Sequence, residues 1–447
     1  MSNVLSKRAI CAFAVCLPFV FGLIGEARAQ GSEVAPSPSP SPSPVPPQES
    51  AVAVRESPEV SGAGWQRKGL GLKNGRFKID LAGYAQMDFR HFDWNVEPDS
   101  VRAERELRRL RIGIKAEFDR WSLELDGDPR GSKKGDRLKD AAVGYQFSRK
   151  ATLLAGHFKP DVSPEFLTSS SRTDLIDRSM APERLGVDRE WGASLSGEAS
   201  KFTYVAGAFA GDGSPSSERS DAAVASRVTW EPRGGFVLGS SFMQGKVTPD
   251  PAVGSIEPEA KGGSGRTSSG FDFSDRPHVK GTRRRVGADA AYSRGSFRAI
   301  AEFLQMTEQR LGQGPGGETL PAFRGRAWSL HATYILTGEK KSTKVRPAAS
   351  IFKGGKGMLE VAARIEGLHF DDTGAETGRA GYRSRDQDLV AAGAATWSAG
   401  VNYWASSFLK FQGNALWERY RDATRAPTPG NNGRYFSVVG RIQVMVP

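Results

Sequence analysis

Arg109, Arg111 and Lys115 occupy alternate positions in a stretch whose other positions include Leu110, Ile112, Ile114, Ala116 and Phe118. On an extended chain this period of two puts the cations on one face and the apolar side chains on the other. A row of guanidinium and ammonium groups facing a confined space concentrates small anions and repels cations. The forked donors of arginine also suit phosphate oxygens. A second basic run, residues 283–285, fits either such a lining or a solvated strand end. Other chemistries have little to stand on. The five histidines, His91, His157, His278, His331 and His369, lie apart, without metal-ligand spacing, so neither a metal nor another cofactor is expected. There is no G-x-S-x-G elbow and no phosphate-loop pattern. A barrel hydrolase is the alternative of another class; it would need His331 or His157 to meet a strand serine.

The elements that must position these cations repeat the same alternation. Upstream, Phe77, Ile79, Leu81, Gly83, Ala85, Met87 and Phe89 alternate with Lys78, Asp80, Ala82, Tyr84, Gln86, Asp88 and Arg90. Trp121, Leu123 and Leu125 alternate with Ser122, Glu124 and Asp126. Similar stretches are expected at 141–147, 191–197, 202–210, 224–230, 286–292, 297–303, 328–334, 359–365 and 436–446, separated by connections rich in Gly, Ser, Pro and Asp. No helical period is sustained.

The N-terminus sets the compartment. Lys7 and Arg8 precede an apolar run, 9–25, and Ala27-Arg28-Ala29 supplies a small-x-small cleavage pattern. Residues 1–29 are therefore expected to be a cleaved signal peptide. Its loss removes Lys7, Arg8, Arg28 and Glu26, which lowers the formal net charge from +12 to +10. Both cysteines, Cys11 and Cys16, go with it. Residues 30–74 contain alternating Pro and Ser and are expected to be an extended periplasmic spacer. Export, and the lack of a nucleic-acid-binding signature, argue against nucleic acid as the partner of the basic surplus.

Only 38% of the 447 residues are hydrophobic, and no run after residue 25 could cross a bilayer as a helix. Alternating strands in an exported chain leave a soluble sandwich, apolar face inward, or a transmembrane barrel, apolar face outward. Charge is dense on the polar face of consecutive strands, and Trp121, Tyr145, Phe147, Trp230, Tyr334 and Trp417 fall near strand ends, as in interfacial girdles. Short and long connections alternate. Sixteen strands over residues 76–447 need about 23 residues each, turn included, a porin spacing. The fold class is all-β, a transmembrane antiparallel β-barrel over residues 75–447.

Seven stretches resemble the phosphate-selective porin O/P family of outer-membrane channels. They are Leu107-Arg108-Arg109-Leu110-Arg111-Ile112-Gly113, Leu138-Lys139-Asp140-Ala141-Ala142-Val143-Gly144-Tyr145, Gly156-His157-Phe158-Lys159-Pro160 running on to Leu167-Thr168-Ser169-Ser170, Arg276-Pro277, Tyr334-Ile335-Leu336-Thr337-Gly338-Glu339, Glu360-Val361-Ala362-Ala363-Arg364 and Gly400-Val401-Asn402-Tyr403-Trp404. The resemblance implies a homotrimer of 16-stranded barrels in outer-membrane lipid, each with its third outer loop folded inward to narrow the pore. It implies pore-lining or anion-binding roles for Arg108, Arg109, Arg111, Lys115, Asp140, Lys159, Arg172, Arg178, Arg184 and Arg276. The function expected is passive diffusion of small anions, phosphate or polyphosphate among them, with no enzymatic activity. A barrel plugged by its own loops would share these features except conductance. The chain departs from the phosphate-specific pattern at Ser274 and His278, where arginines would flank Arg276, and at Phe166, where a constriction lysine would stand. It also ends Val444-Met445-Val446-Pro447, without a terminal aromatic residue.

Overall fold

The computed structural model describes residues 65–68, 71–92, 105–131, 137–211, 221–247, 260–261, 263–274, 276–314, 316–342, 347–371, 391–427 and 431–446. The expected signal peptide and most of the expected spacer lie outside these residues. The end of the spacer differs from expectation. β1 (Trp65–Lys68) and β2 (Gly71–Asn74) form a hairpin, and Gly75, at φ 55°, turns β2 back onto β3 (Phe77–Phe92). A positive φ there costs glycine nothing.

Sixteen strands close into one antiparallel barrel. After β3 come β4 (Arg105–Phe118), β5 (Trp121–Gly127), β6 (Leu138–Ser148), β7 (Ala151–Phe158), β8 (Glu190–Ala199), β9 (Phe202–Gly211), β10 (Asp221–Trp230) and β11 (Phe236–Val247). The connection after β11 holds four short strands, β12 (Ala260–Lys261), β13 (Gly265–Arg266), β14 (Asp272–Ser274) and β15 (His278–Val279), paired β12–β15 and β13–β14. The wall resumes with β16 (Gly281–Arg294), β17 (Phe297–Arg310), β18 (Leu320–Ile335), β19 (Met358–Phe370), β20 (Ala392–Trp404), β21 (Leu409–Tyr420) and β22 (Arg434–Met445). Each pairs with its sequence neighbour in the wall. β22 closes the ring on β3, from Ser437 opposite Phe92 to Met445 opposite Tyr84. Beyond that point β2 covers the edge of β3 that β22 leaves open, so unpaired backbone is not presented there.

Alternation sets the facing. Leu81, Met87, Phe89, Ile112, Ile114, Leu330, Val401 and Ile442 are exposed on the outside, whereas Gln86, Asp88, Glu360, Asn402 and Arg441 between them are buried. An apolar exterior around a polar interior is the inverse of a soluble sandwich and matches a wall facing lipid. Tight turns such as Asp119-Arg120, Arg149-Lys150 and Gly295-Ser296 join strands at one rim, beside Trp121, Tyr145, Phe202, Trp230 and Tyr334. Most longer connections leave the other rim, beneath which Trp328, Trp397, Trp417 and Phe436 form a second aromatic belt. Among the described residues the longest helical pieces have four and five residues, Pro164–Leu167 and Ala181–Leu185.

Candidate functional site: the barrel interior

Residues 159–189, between β7 and β8, form the third long connection, and its backbone is hydrogen-bonded to inward side chains of the wall. Gln86 Nε2 donates to the Ser170 carbonyl at 2.9 Å and Gln443 Nε2 to that of Ser171 at 2.9 Å. Lys410 Nζ donates to Thr173 at 3.0 Å and Asn402 Nδ2 to Asp174 at 2.8 Å. Asn414 Oδ1 accepts the Ile176 N–H at 2.7 Å, Arg441 Nη1 donates to the Ile176 carbonyl at 2.9 Å, and Arg364 Nη1 to that of Asp177 at 2.8 Å. Glu366 accepts the Met180 N–H. A buried irregular backbone needs such partners, because each orphaned group costs about 1–3 kcal/mol. Two motif stretches of the sequence find their physical purpose here. Glu360 to Arg364 and Gly400 to Trp404 supply anchors, and a side chain on inward Gly400 would meet Leu175 at 2.7 Å.

Charge fixes the same segment. Arg441 forks onto Asp88 at 2.6 and 2.8 Å, Arg90 reaches Asp88 at 3.3 Å, and Arg90 continues to Asp177 of the segment at 2.9 Å. Lys341, in the connection after β18, bridges Asp174 and Glu360, and His331 approaches Asp174 at 3.6 Å. Burial acts to lower the Lys341 pKa, but the two carboxylates hold it above the ordinary lysine value. Asp174 is likewise held below the usual carboxylate range, by Lys341 and His331 against the effect of burial.

The far end of the segment is apolar. Met180, Ala181 and Leu185 are buried against inward Leu304, Met306, Phe323 and Phe370 of β17, β18 and β19. The interior is therefore not polar throughout, as strict alternation implies; part of it is a hydrophobic core. Segment and core together cover the inner face of β17–β22 and the rim half of β3. The inner face of β4–β6 is left partly open, with Arg108, Asp126 and Asp140 side chains 25%, 23% and 20% exposed.

The expected site residues divide accordingly. A β-bulge pairs Gln86 with Arg109 and Met87 with Leu107, leaving Arg108 as the extra residue. Arg108 turns to the same side as Glu106, which it contacts at 3.2 Å, while Arg109 Nη1 donates to the neutral amide oxygen of Gln86 at 3.2 Å. Arg111 is paired with Asp126 at 2.9 Å and Lys115 with Glu124 at 2.6 Å. Asp140 accepts both arms of Arg189, at 3.0 and 2.7 Å. Lys159 lies over the Phe166 ring at 4.3 Å, and Arg178 sits 5.2 Å from the same ring. Burial, together with Arg178 and Arg189, pushes the Lys159 pKa well below the ordinary lysine value. Arg178 is committed to the segment's own fold, donating to Glu165, Thr168 and Ser170 at 3.2, 2.7 and 3.0 Å. Arg172 is exposed on the segment, and Arg184 Nε donates to the Arg266 carbonyl at 3.0 Å, tying the segment to β13. Arg276 is exposed between β14 and β15. Of the basic run at 283–285, Arg283 contacts Glu308 and Arg285 donates to Leu185, both inward, whereas Arg284 faces out. Sequence reasoning placed Arg189 only among the basic residues of the third-loop region and left out Lys341, Lys410 and Arg441, although Lys410 and Arg441 stand on the polar side of a strand.

The family profile described as phosphate-selective porin O and P matches residues 77–445, the whole barrel. The chain belongs to that family. This outer-membrane porin has the fold of several solved structures. The anion-selective porin from Comamonas acidovorans is 13% identical with a TM-score of 0.53, over 83% of this chain and 99% of that one. The outer-membrane channel DcaP of Acinetobacter baumannii is 10% identical with a TM-score of 0.52, over 83% and 97%. The trimer form of OmpT, an outer-membrane protein of Vibrio cholerae, is 12% identical with a TM-score of 0.52, over 83% and 99%. A protein of Caulobacter vibrioides described as uncharacterized is 24% identical over 305 residues, 61% of this porin and 57% of that protein. The porin thus spans little more than half the length of that relative.

Proposed function

We propose that this porin conducts small anions by passive diffusion, through the space between the β4–β6 wall and residues 159–189. The observation that carries the proposal is the bulge in β4. It sets Arg108 and Arg109 side by side on the inner face, and Arg109 is bonded to a neutral amide rather than a carboxylate. Its full charge acts on a passing ion. The paired cations contribute less, because Asp126, Glu124 and Asp140 offset Arg111, Lys115 and Arg189. A general anion preference follows, with weak selectivity for phosphate, since exposed Arg276 stands without flanking arginines.

The test is reversal potential in a salt gradient across a planar bilayer holding the purified protein. Anion preference is expected, with phosphate blocking the chloride current only weakly. Cation preference, or no conductance as in a plugged barrel, would overturn the proposal. Tight phosphate block would overturn the weak-selectivity part alone.

We further propose a homotrimer, in line with the trimeric OmpT structure. β5 and β7 have only 7 and 8 residues. Tilted near 40°, they reach roughly 18–20 Å along the membrane normal, short of the apolar band of about 25 Å. A neighbouring subunit covers such a low wall better than lipid does. Mass measurement of the detergent-solubilised porin checks the subunit number.

A further inference from the structure

We infer that the outer face of β16–β22 carries a binding site for a phosphorylated glycolipid of the outer leaflet. Above the belt of Trp328, Trp397, Trp417 and Phe436, one step nearer the long connections, the lipid side of the wall turns basic. Arg284, Arg324, Arg326, Arg419, Arg421 and Arg434 all point outward there. The register makes them neighbours. Arg284 lies opposite Thr307, which lies opposite Arg324; Arg326 lies opposite His369; Arg419 lies opposite Arg434. Arg421 Nη1 is 3.4 Å from His369 Nδ1, so β18, β19 and β21 meet in one cluster. Asp371 answers part of this charge, 3.7 Å from Arg324 and 3.2 Å from Arg326. Arg284 is held by the neutral Gln244 amide at 3.0 and 2.8 Å.

The row is densest in this sector, where it lies between exposed Lys246 of β11 and exposed Arg105 of β4. At the same height β9 and β10 present Ala208, Ala210, Ala222 and Val224 to the outside. A uniform basic row around the whole barrel would only mark the headgroup level; a dense cluster over neighbouring strands calls for a local partner. The aromatic belt places the hydrocarbon boundary just below the arginines. Forked donors at that depth match phosphate groups carried at the membrane surface. Beneath them the belt itself, with the Trp328 indole lying over buried Gly367 and Trp397 beside Trp417, offers an apolar outer surface for acyl chains. A lipid bearing two phosphates over several acyl chains meets both features. The inference depends on the long connections facing outward and not on the ion preference of the pore.

The experiment uses full-length mature protein in detergent, with bis-phosphorylated lipid A and the same lipid stripped of phosphate as probes. Native mass spectrometry reads retention. The wild type is expected to retain the phosphorylated lipid and to release the stripped one. A triple variant, Arg326→Gln, Arg419→Gln and Arg421→Gln, is expected to retain it at least about tenfold less well, with conductance unchanged. Equal retention of the two lipids by the wild type overturns the inference, as does equal retention by wild type and variant. Displacement of the lipid by inorganic phosphate also overturns it, since that marks a free-anion site. Should the variant fail to fold, the comparison of the two lipids on the wild type still decides.

Discussion

Replacing Asp88 with asparagine should release residues 159–189 from the wall while leaving the barrel intact. Asp88 is fully buried between Arg441 and Arg90, and both arginines also hold the segment, through the Ile176 carbonyl and the Asp177 carboxylate. Breaking a buried ion pair by removing one partner costs about 3–5 kcal/mol, because the other charge stays desolvated. Asp177 still answers Arg90, so the lower part of that range applies. At 1.36 kcal/mol per decade, about 3 kcal/mol moves the attached–detached equilibrium by roughly two orders of magnitude. The barrel's interstrand bonds are untouched, so the cost falls on local release rather than on global unfolding. Trypsin offers the assay, since Arg172 sits on the segment itself. Cleavage there should be at least about tenfold faster in Asp88→Asn, and single-channel conductance should rise or become noisy. A paired change, Asp88→Leu with Arg441→Met, should cost less than Asp88→Asn, because it leaves no unpaired charge on Arg441. Unchanged cleavage and unchanged conductance in Asp88→Asn would refute the reasoning, and would mean that the neutral bonds from Gln443, Asn402 and Asn414 suffice.

Three further outcomes are expected. Arg109→Gln should lower the anion-to-cation permeability ratio several-fold, a loss of about 1 kcal/mol for one unit charge near the path, whereas Lys115→Gln should change it less; reversal potentials compare the two. Lys159 loses its proton at lower pH than an ordinary lysine, so as pH rises its positive charge disappears before that of the other lysines and anion preference should fall with it; Lys159→Met should remove that part of the pH dependence. Gly156→Ala should prevent correct assembly, because φ is 135° and a Cβ would sit 2.1 Å from the Ala141 carbonyl oxygen; loss of the heat-modifiable folded band on a gel reads this out.

Four wall strands escaped the alternation pattern because their inner faces carry apolar or small side chains. In β7, Leu153 faces lipid but inward Leu154 is also apolar; in β11, inward Val237 and Met243 are apolar; in β21, so is Leu416. β20 is built largely from Ala and Gly until Val401. Inward apolar side chains that join the interior core, such as Leu154 and Met243, blur the period of two, although β17–β19 line the same core and keep the period over part of their length. The strands facing water, β3–β6, keep it. The interior itself was legible in part: the cations of β4 stand on the face where alternation puts them, whereas the bulge that adds Arg108 has no period to betray it.

What the sequence determined by itself was which side of each wetted strand is wet, since alternation is a property of neighbouring residues. The outward apolar band follows from it, whereas the count of sixteen rests on chain length and the family resemblance. What only the tertiary structure decided is which charges remain to act on an ion. Arg189 is answered by Asp140, 49 residues away, and Arg441 by Asp88, 353 residues away. Such pairings depend on barrel closure and on the course of one inward-bonded segment. Charge is additive along a chain, but neutralisation depends on distances in space.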